Sequence, residues 1–160
     1  MDDSRSTTDF HLVDMALHAE GEGCPGTGPR PERSDPVELP EGALVTLCIV
    51  FRLGRDVDGL AYTETRVRDG TVEAAQETQL GGFRAGGPYE IHLQPERLPM
   101  GHAAIGAYEV HGVFTDRHRR PLASAYRRYR IVPAPEPGQR HGQGAGQGHA
   151  ERAGSKSSAV

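Results

Sequence analysis

No tryptophan occurs in the chain, aromatic residues make up only 6% of it, and lysine appears once, at Lys156. The missing tryptophan removes the buried ring that antibody-type domains pack against their disulfide. No apolar run approaches the ~20 residues of a membrane-spanning helix. The opening MDDSRSTTD is polar and has no apolar signal core, so a soluble, intracellular (cytoplasmic) protein is expected. Cysteine is scarce as well. Cys24 and Cys48 are the only two, and without a secretion signal both are expected as reduced thiols. Catalytic motifs are missing: there is no GxSxG elbow, no Walker loop, and no HExxH or CxxC pairing. His11 and His18 fall on opposite faces of one strand, and His92, His102, His111 and His118 fall on different elements, so no metal site is expected. Asp56 and Asp58 sit in a turn, where aspartate serves conformation. Gly81 to Gly87 lacks the spacing and the following helix that dinucleotide binding needs, and reads as a loop. A non-enzymatic chain without cofactor follows. The net charge of −4, with no recognised module beside the basic residues, excludes a nucleic-acid partner.

What is present is β pattern. In Gly42–Val67 the residues Val45, Leu47, Ile49, Phe51 and Leu53 share one face, with Leu44, Thr46, Cys48, Val50 and Arg52 on the other. Gly54 to Gly59 supply breakers, and Leu60 to Val67 follows as a Tyr-, Thr- and Val-rich strand, so the stretch reads as a hairpin. Phe10 to Ala19 alternates more weakly, with Val13, Met15 and Leu17 inward and Leu12, Asp14 and His18 outward. Glu20 to Pro40, with four prolines before its last, is an irregular connection long enough to hide a short edge strand. Asp69-Gly70 is a turn, and Glu73 to Leu80 is polar and ambiguous. Tyr89 to Leu93, Ile105 to Phe114 and Leu122 to Val132 are strands, separated by loops at Pro95–Gly101 and Thr115–Pro121. Residues 1–9 and 134–160 have too little apolar surface to offset their ordering entropy and are expected to be disordered. About seven short strands without an amphipathic helix predict an all-β, immunoglobulin-like antiparallel sandwich over residues 10–133.

The residues also resemble a family. Phe51-Arg52-Leu53, Arg55-Asp56-Val57, Gly59-Leu60 and Tyr62 are similar to the central signature of the Rho GDP-dissociation inhibitors. The likeness continues through Arg68-x-Gly70, Leu80-Gly81, Tyr89-Glu90, Pro99-Met100-Gly101, Gly106-Ala107-Tyr108 and Phe114-Thr115-Asp116. The resemblance implies a sandwich that holds an isoprenoid between its sheets and a prenylated small GTPase as partner. It also implies a lipid slot at Leu17, Phe51, Thr63, Val110, Arg127, Tyr129 and Ile131. Ala125 and Arg127 stand where the family carries tryptophans, so Arg127 would cap the slot unless it meets a carboxylate or water. The arginine-rich stretch around the last turn, Asp116, Arg117, Arg119 and Arg120, is the expected partner-binding surface. In the family a separate N-terminal arm grips the GTPase switches. Nine residues precede the first strand here, so the expectation is a bacterial-type member without that arm, one that does not slow GDP release. The alternative is a sandwich that has lost the lipid pocket and binds protein through its rim or its Arg-rich last hairpin.

Overall fold

The computed structural model describes residues 9–20 and 36–135. The expected disordered ends and Cys24 lie outside these residues, apart from Asp9 and residues 134 and 135. The described chain forms nine strands: β1 (Phe10–Ala19), β2 (Val37–Pro40), β3 (Leu44–Leu53), β4 (Val57–Arg68), β5 (Thr71–Phe83), β6 (Gly86–His92), β7 (Glu96–Arg97), β8 (Gly106–Thr115) and β9 (Pro121–Val132). A single 3₁₀ turn, His102–Ala104, precedes β8. One sheet runs β1-β3-β6, with β7 also on β3, and the other runs β2-β9-β8-β4-β5. Every pairing is antiparallel except the parallel β2–β9 pair. The first order matches strands A, B and E of an immunoglobulin-like sandwich, and β9-β8-β4-β5 matches its G, F, C and C′. The expected fold class is the observed one.

The alternating face of β3 decides the packing. Val45, Leu47, Ile49, Phe51 and Leu53 are all buried, as period-2 patterning requires. They split between two core clusters. Phe10, Phe51, Leu60, Tyr62 and Phe114 anchor one. Leu39, Val45, Tyr108, Val110 and Ile131 anchor the other.

The structure corrects several local expectations. β3 and β4 are not a hairpin: β3 lies between β1 and β6, and β4 lies between β5 and β8 in the other sheet. The intervening turn carries the chain across the sandwich, and Asp9 fastens it. Gly54 N–H donates to the Asp9 carbonyl at 2.8 Å and Arg55 Nε to Asp9 Oδ2 at 2.6 Å. Alternation reports which face of a strand is buried but not which sheet it joins. The true hairpin partner of β4 is β5, through Asp69-Gly70, where both residues have positive φ, 49° and 74°, as a two-residue hairpin turn requires. The ambiguous polar segment is therefore a strand, and β5 extends through Gly81 and Gly82 because pairing with β4 organises a stretch of low intrinsic propensity. A bulge between Leu12 and Asp14 reverses the local facing of β1. Leu12 packs on the core and Val13 is exposed, the opposite of the expected assignment. The suspected edge strand exists as β2. Cys48 is disulfide-bonded rather than a reduced thiol.

Candidate functional site

The two core clusters separate where the inner face of the larger sheet turns small and polar. On β4 the inward residues are Tyr62, Glu64 and Arg66. Glu64 lies opposite Gly112 of β8, and Gly112 lies opposite Ala125 of β9. The Tyr62 ring lies over Gly112, where an added Cβ would come within 2.5 Å of it. Beside it a cleft of about 460 Å³ lies between the sheets. Its apolar wall is Leu17 of β1, Val45 and Leu47 of β3, and Leu93 and Leu98 around β7; its other wall includes Glu64, Arg66, Arg127, Tyr129 and the β5 residues Gln76 and Thr78.

The polar wall is an ion network. Arg127 Nη2 donates to Glu64 Oε2 at 2.6 Å, and the Tyr62 hydroxyl donates to the same oxygen at 3.1 Å. Arg66 forks onto Glu96, with Nη1–Oε1 at 3.2 Å and Nη2–Oε2 at 3.1 Å, and reaches Glu64 Oε1 at 3.5 Å. Arg127, Glu64 and Arg66 side chains are only 16–17% exposed, whereas Glu96 sits at the rim, 49% exposed. Burial pushes the Tyr62 hydroxyl up, against the nearby Arg127 charge, so it is a neutral donor. Burial works against the charge of Arg66, but Glu96 and Glu64 outweigh it and hold the guanidinium protonated. Burial likewise drives the Tyr129 hydroxyl up to about 12, partly opposed by Arg66.

Tyr129 is held by its ring. It stacks on Tyr108 with centroids 5.2 Å apart and an interplanar angle of 8°. Tyr108 in turn donates to the Ala104 carbonyl at 2.6 Å and lies under the Arg68 guanidinium, 5.2 Å from its ring centroid. Arg68 is itself tied to the chain just before β8, through the Ile105 carbonyl at 2.7 Å and the Ala103 carbonyl.

Leu17, Arg127 and Tyr129 line the cleft. Phe51, Val110 and Ile131, 0% exposed, lie in the packed core instead. Thr63, between the inward Tyr62 and Glu64, falls on the opposite face of β4 and does not line the cleft. Arg127 meets the condition set for it, since Glu64 supplies the carboxylate. Sequence reasoning missed Glu64 and Arg66. Their polarity argues for solvent, and bulges between Val57, Leu60 and Ala61 reset the facing of the strand. The one available signal was Arg127 itself, an arginine on an inward face that demanded an acid.

The expected partner surface is a tightly built turn. Asp116 is buried, 7% exposed. Its Oδ1 accepts from the His118 and Arg120 backbone N–H groups at 2.8 and 3.1 Å, and its Oδ2 accepts from Arg120 Nε at 3.0 Å. Asp116 thus shapes the turn, while Arg119 and Arg120 point outward with side chains 81% and 66% exposed. Burial raises the Asp116 carboxyl, but these bonds outweigh it and hold the group below its ordinary value of 3.8. A depressed carboxyl stabilises the fold above that value and stops doing so as pH falls through its lower folded value. Acid titration of unfolding should therefore show stability falling below about pH 4, and Asp116→Asn should flatten that fall. An unchanged acid profile in the variant would show that the turn does not depend on the carboxylate.

Among the described residues no group of three His, Cys, Asp or Glu side chains is placed to hold a metal. No helix among them is long and apolar enough to cross a membrane.

Comparison with known proteins places this architecture. A family profile described as RHO protein GDP dissociation inhibitor matches residues 24–127. The chain belongs to the RHO protein GDP dissociation inhibitor family. A Rho GDP-dissociation inhibitor of Schizosaccharomyces pombe is 32% identical over 80 residues, 49% of this chain and 39% of that protein. The chain thus spans well under half the length of this curated relative. Among solved structures, a Bacteroides uniformis β-glucuronidase superposes with a TM-score of 0.52 at 13% identity, covering 77% of this chain and 14% of that one. A second β-glucuronidase of that organism, bound to a cyclophellitol aziridine, gives 0.50 at 15% identity over 77% of this chain and 14% of that one. At such identity these two establish the sandwich fold alone. The RHO protein GDP dissociation inhibitor family is one of regulators rather than enzymes.

Proposed function

We propose that the chain binds a prenylated small GTPase of the Rho type, and that the apolar wall of the inter-sheet cleft receives the lipid chain. One observation carries the reading: Leu17, Val45, Leu47, Leu93 and Leu98 form a continuous apolar wall beside an Arg127 whose charge Glu64 already compensates. A paired guanidinium does not set an uncompensated charge against an entering isoprenoid, whose transfer from water supplies the driving force. The exposed guanidinium groups of Arg119 and Arg120 on the β8–β9 turn are then the surface for the protein part of the partner. A cytoplasmic location is part of this reading, which the GTPase partner requires.

The test is a fluorescence titration of a geranylgeranylated peptide and of the same peptide without lipid. Saturable binding of the lipidated peptide alone is expected, weakened at least ~10-fold in Leu93→Trp, where an indole would occupy cleft volume. Equal binding of both peptides would overturn the proposal.

A further inference from the structure

The polar wall of the cleft is tied to the opposite sheet at its rim. Arg66 belongs to β4 in the larger sheet and Glu96 to β7 in the smaller, so their two bonds, at 3.2 and 3.1 Å, run from one sheet to the other. Both residues line the cleft. Its exposed margin is Gln76, Glu77 and Gln79 of β5 on one bank and Gln94, Pro95 and Glu96 on the other. The pair therefore bridges the mouth and not the floor. Side-chain exposure agrees, 49% for Glu96 against 16% for Arg66. A bond across the opening bars a bulky chain for as long as it stays formed.

Two features let that bond open at small cost. Arg66 has a second acid, because Glu64 accepts from it on Oε1 at 3.5 Å, whereas Arg127 and Tyr62 use Oε2. When Glu96 swings away, the guanidinium keeps a counter-charge and Glu96 passes into water, so no buried charge is stranded. The backbone beneath Glu96 is fixed. Leu93 N–H donates to the Leu47 carbonyl at 2.9 Å and Leu98 N–H to the Ala43 carbonyl at 2.8 Å, and Glu96 itself pairs with Val45 of β3. Opening is then a side-chain rotation and not a loop movement. The cleft of about 460 Å³ is present with the pair formed, so the pair can close over a bound chain as well as over an empty site. We propose that the Arg66–Glu96 ion pair is a gate, one that sets how fast an apolar chain enters and leaves the cleft without setting how tightly it is held. The inference rests on the lipid-binding reading above and adds the control of access to that site.

Stopped-flow fluorescence with an uncharged, dansyl-labelled geranylgeranylated peptide reads entry on mixing and exit on chasing with unlabelled peptide. Glu96→Gln keeps the shape of the side chain and removes its charge at an exposed position, where substitutions seldom disturb the fold. Both rates should rise about 3- to 5-fold, the scale of one partly exposed ion pair, while the equilibrium affinity moves less than about 2-fold. Salt should act in the same way. Raising the ionic strength from ~0.05 to ~0.5 M screens the pair, so both wild-type rates should rise and those of Glu96→Gln should not. Rates untouched by the substitution would overturn the gate and leave lipid binding standing. A change in entry alone or in exit alone would make Glu96 a competitor or a contact of the chain, and would overturn it equally. Failure of the peptide to bind at all would overturn the lipid reading itself, and this inference with it.

Discussion

Phe51→Ala should lower the unfolding free energy by about 3–5 kcal/mol, the usual cost of emptying a buried aromatic site. Phe51 is 0% exposed. Its ring lies 5.1 Å from those of Phe10 and Phe83 and 5.6 Å from that of Tyr89, so the substitution opens a cavity in the aromatic cluster that joins the two sheets. Both walls are strands, which cannot easily close a gap of that shape by sliding. Urea denaturation should show a lower midpoint with an unchanged slope, the signature of lost stability without a changed unfolded state. A loss below ~1 kcal/mol would contradict the packing. Because Phe51 lies outside the cleft, lipid affinity measured on the folded variant should change far less than stability.

Glu64→Leu should cost about as much, ~3–5 kcal/mol, by a different route. Glu64 is the carboxylate that accepts from Arg127, Tyr62 and Arg66 together. Its removal leaves Arg127 charged, largely buried and without its acid. The loss is mainly the cost of stranding that charge, so the double variant Glu64→Leu/Arg127→Met should regain most of it, since apolar side chains of similar volume can replace a buried ion pair. A double-mutant cycle reads the coupling directly. If the double variant is as unstable as the single one, the network is not what Glu64 stabilises. The same double variant extends the apolar wall, so its affinity for a bare hydrocarbon chain should rise.

The sandwich was legible because its strongest strand, β3, buries alternate residues without interruption from Val45 to Leu53. Where alternation is clean, the pattern of burial can be read from polarity alone. Partnership between strands cannot, because it is decided by contacts distant in sequence. That is why Leu44–Leu53 and Val57–Arg68 looked like a hairpin and are instead members of opposite sheets. The candidate site was less legible for a related reason. Its defining groups, Glu64 and Arg66, are polar residues turned inward, and polarity is the cue used to place a residue outside. A bulge in β1 adds a single-residue shift that reverses facing, which moved Val13 outward, and on β4 ordinary alternation puts Thr63 on the far face from Glu64. Arg127 was the readable exception. Its place in the last strand implied a buried guanidinium, and a buried guanidinium implies an acid.

The central claim is that the space between the sheets, and not the rim of the sandwich, is the binding site. Methyl-labelled NMR spectra recorded during titration with a geranylgeranylated peptide test it most directly. The methyl signals of Leu17, Leu47, Leu93 and Leu98 should shift together and saturate at one peptide per chain, with no response to the unlipidated peptide. Methyl shifts absent from those four residues, with backbone amide changes confined to the turn from Asp116 to Arg120, would contradict the account.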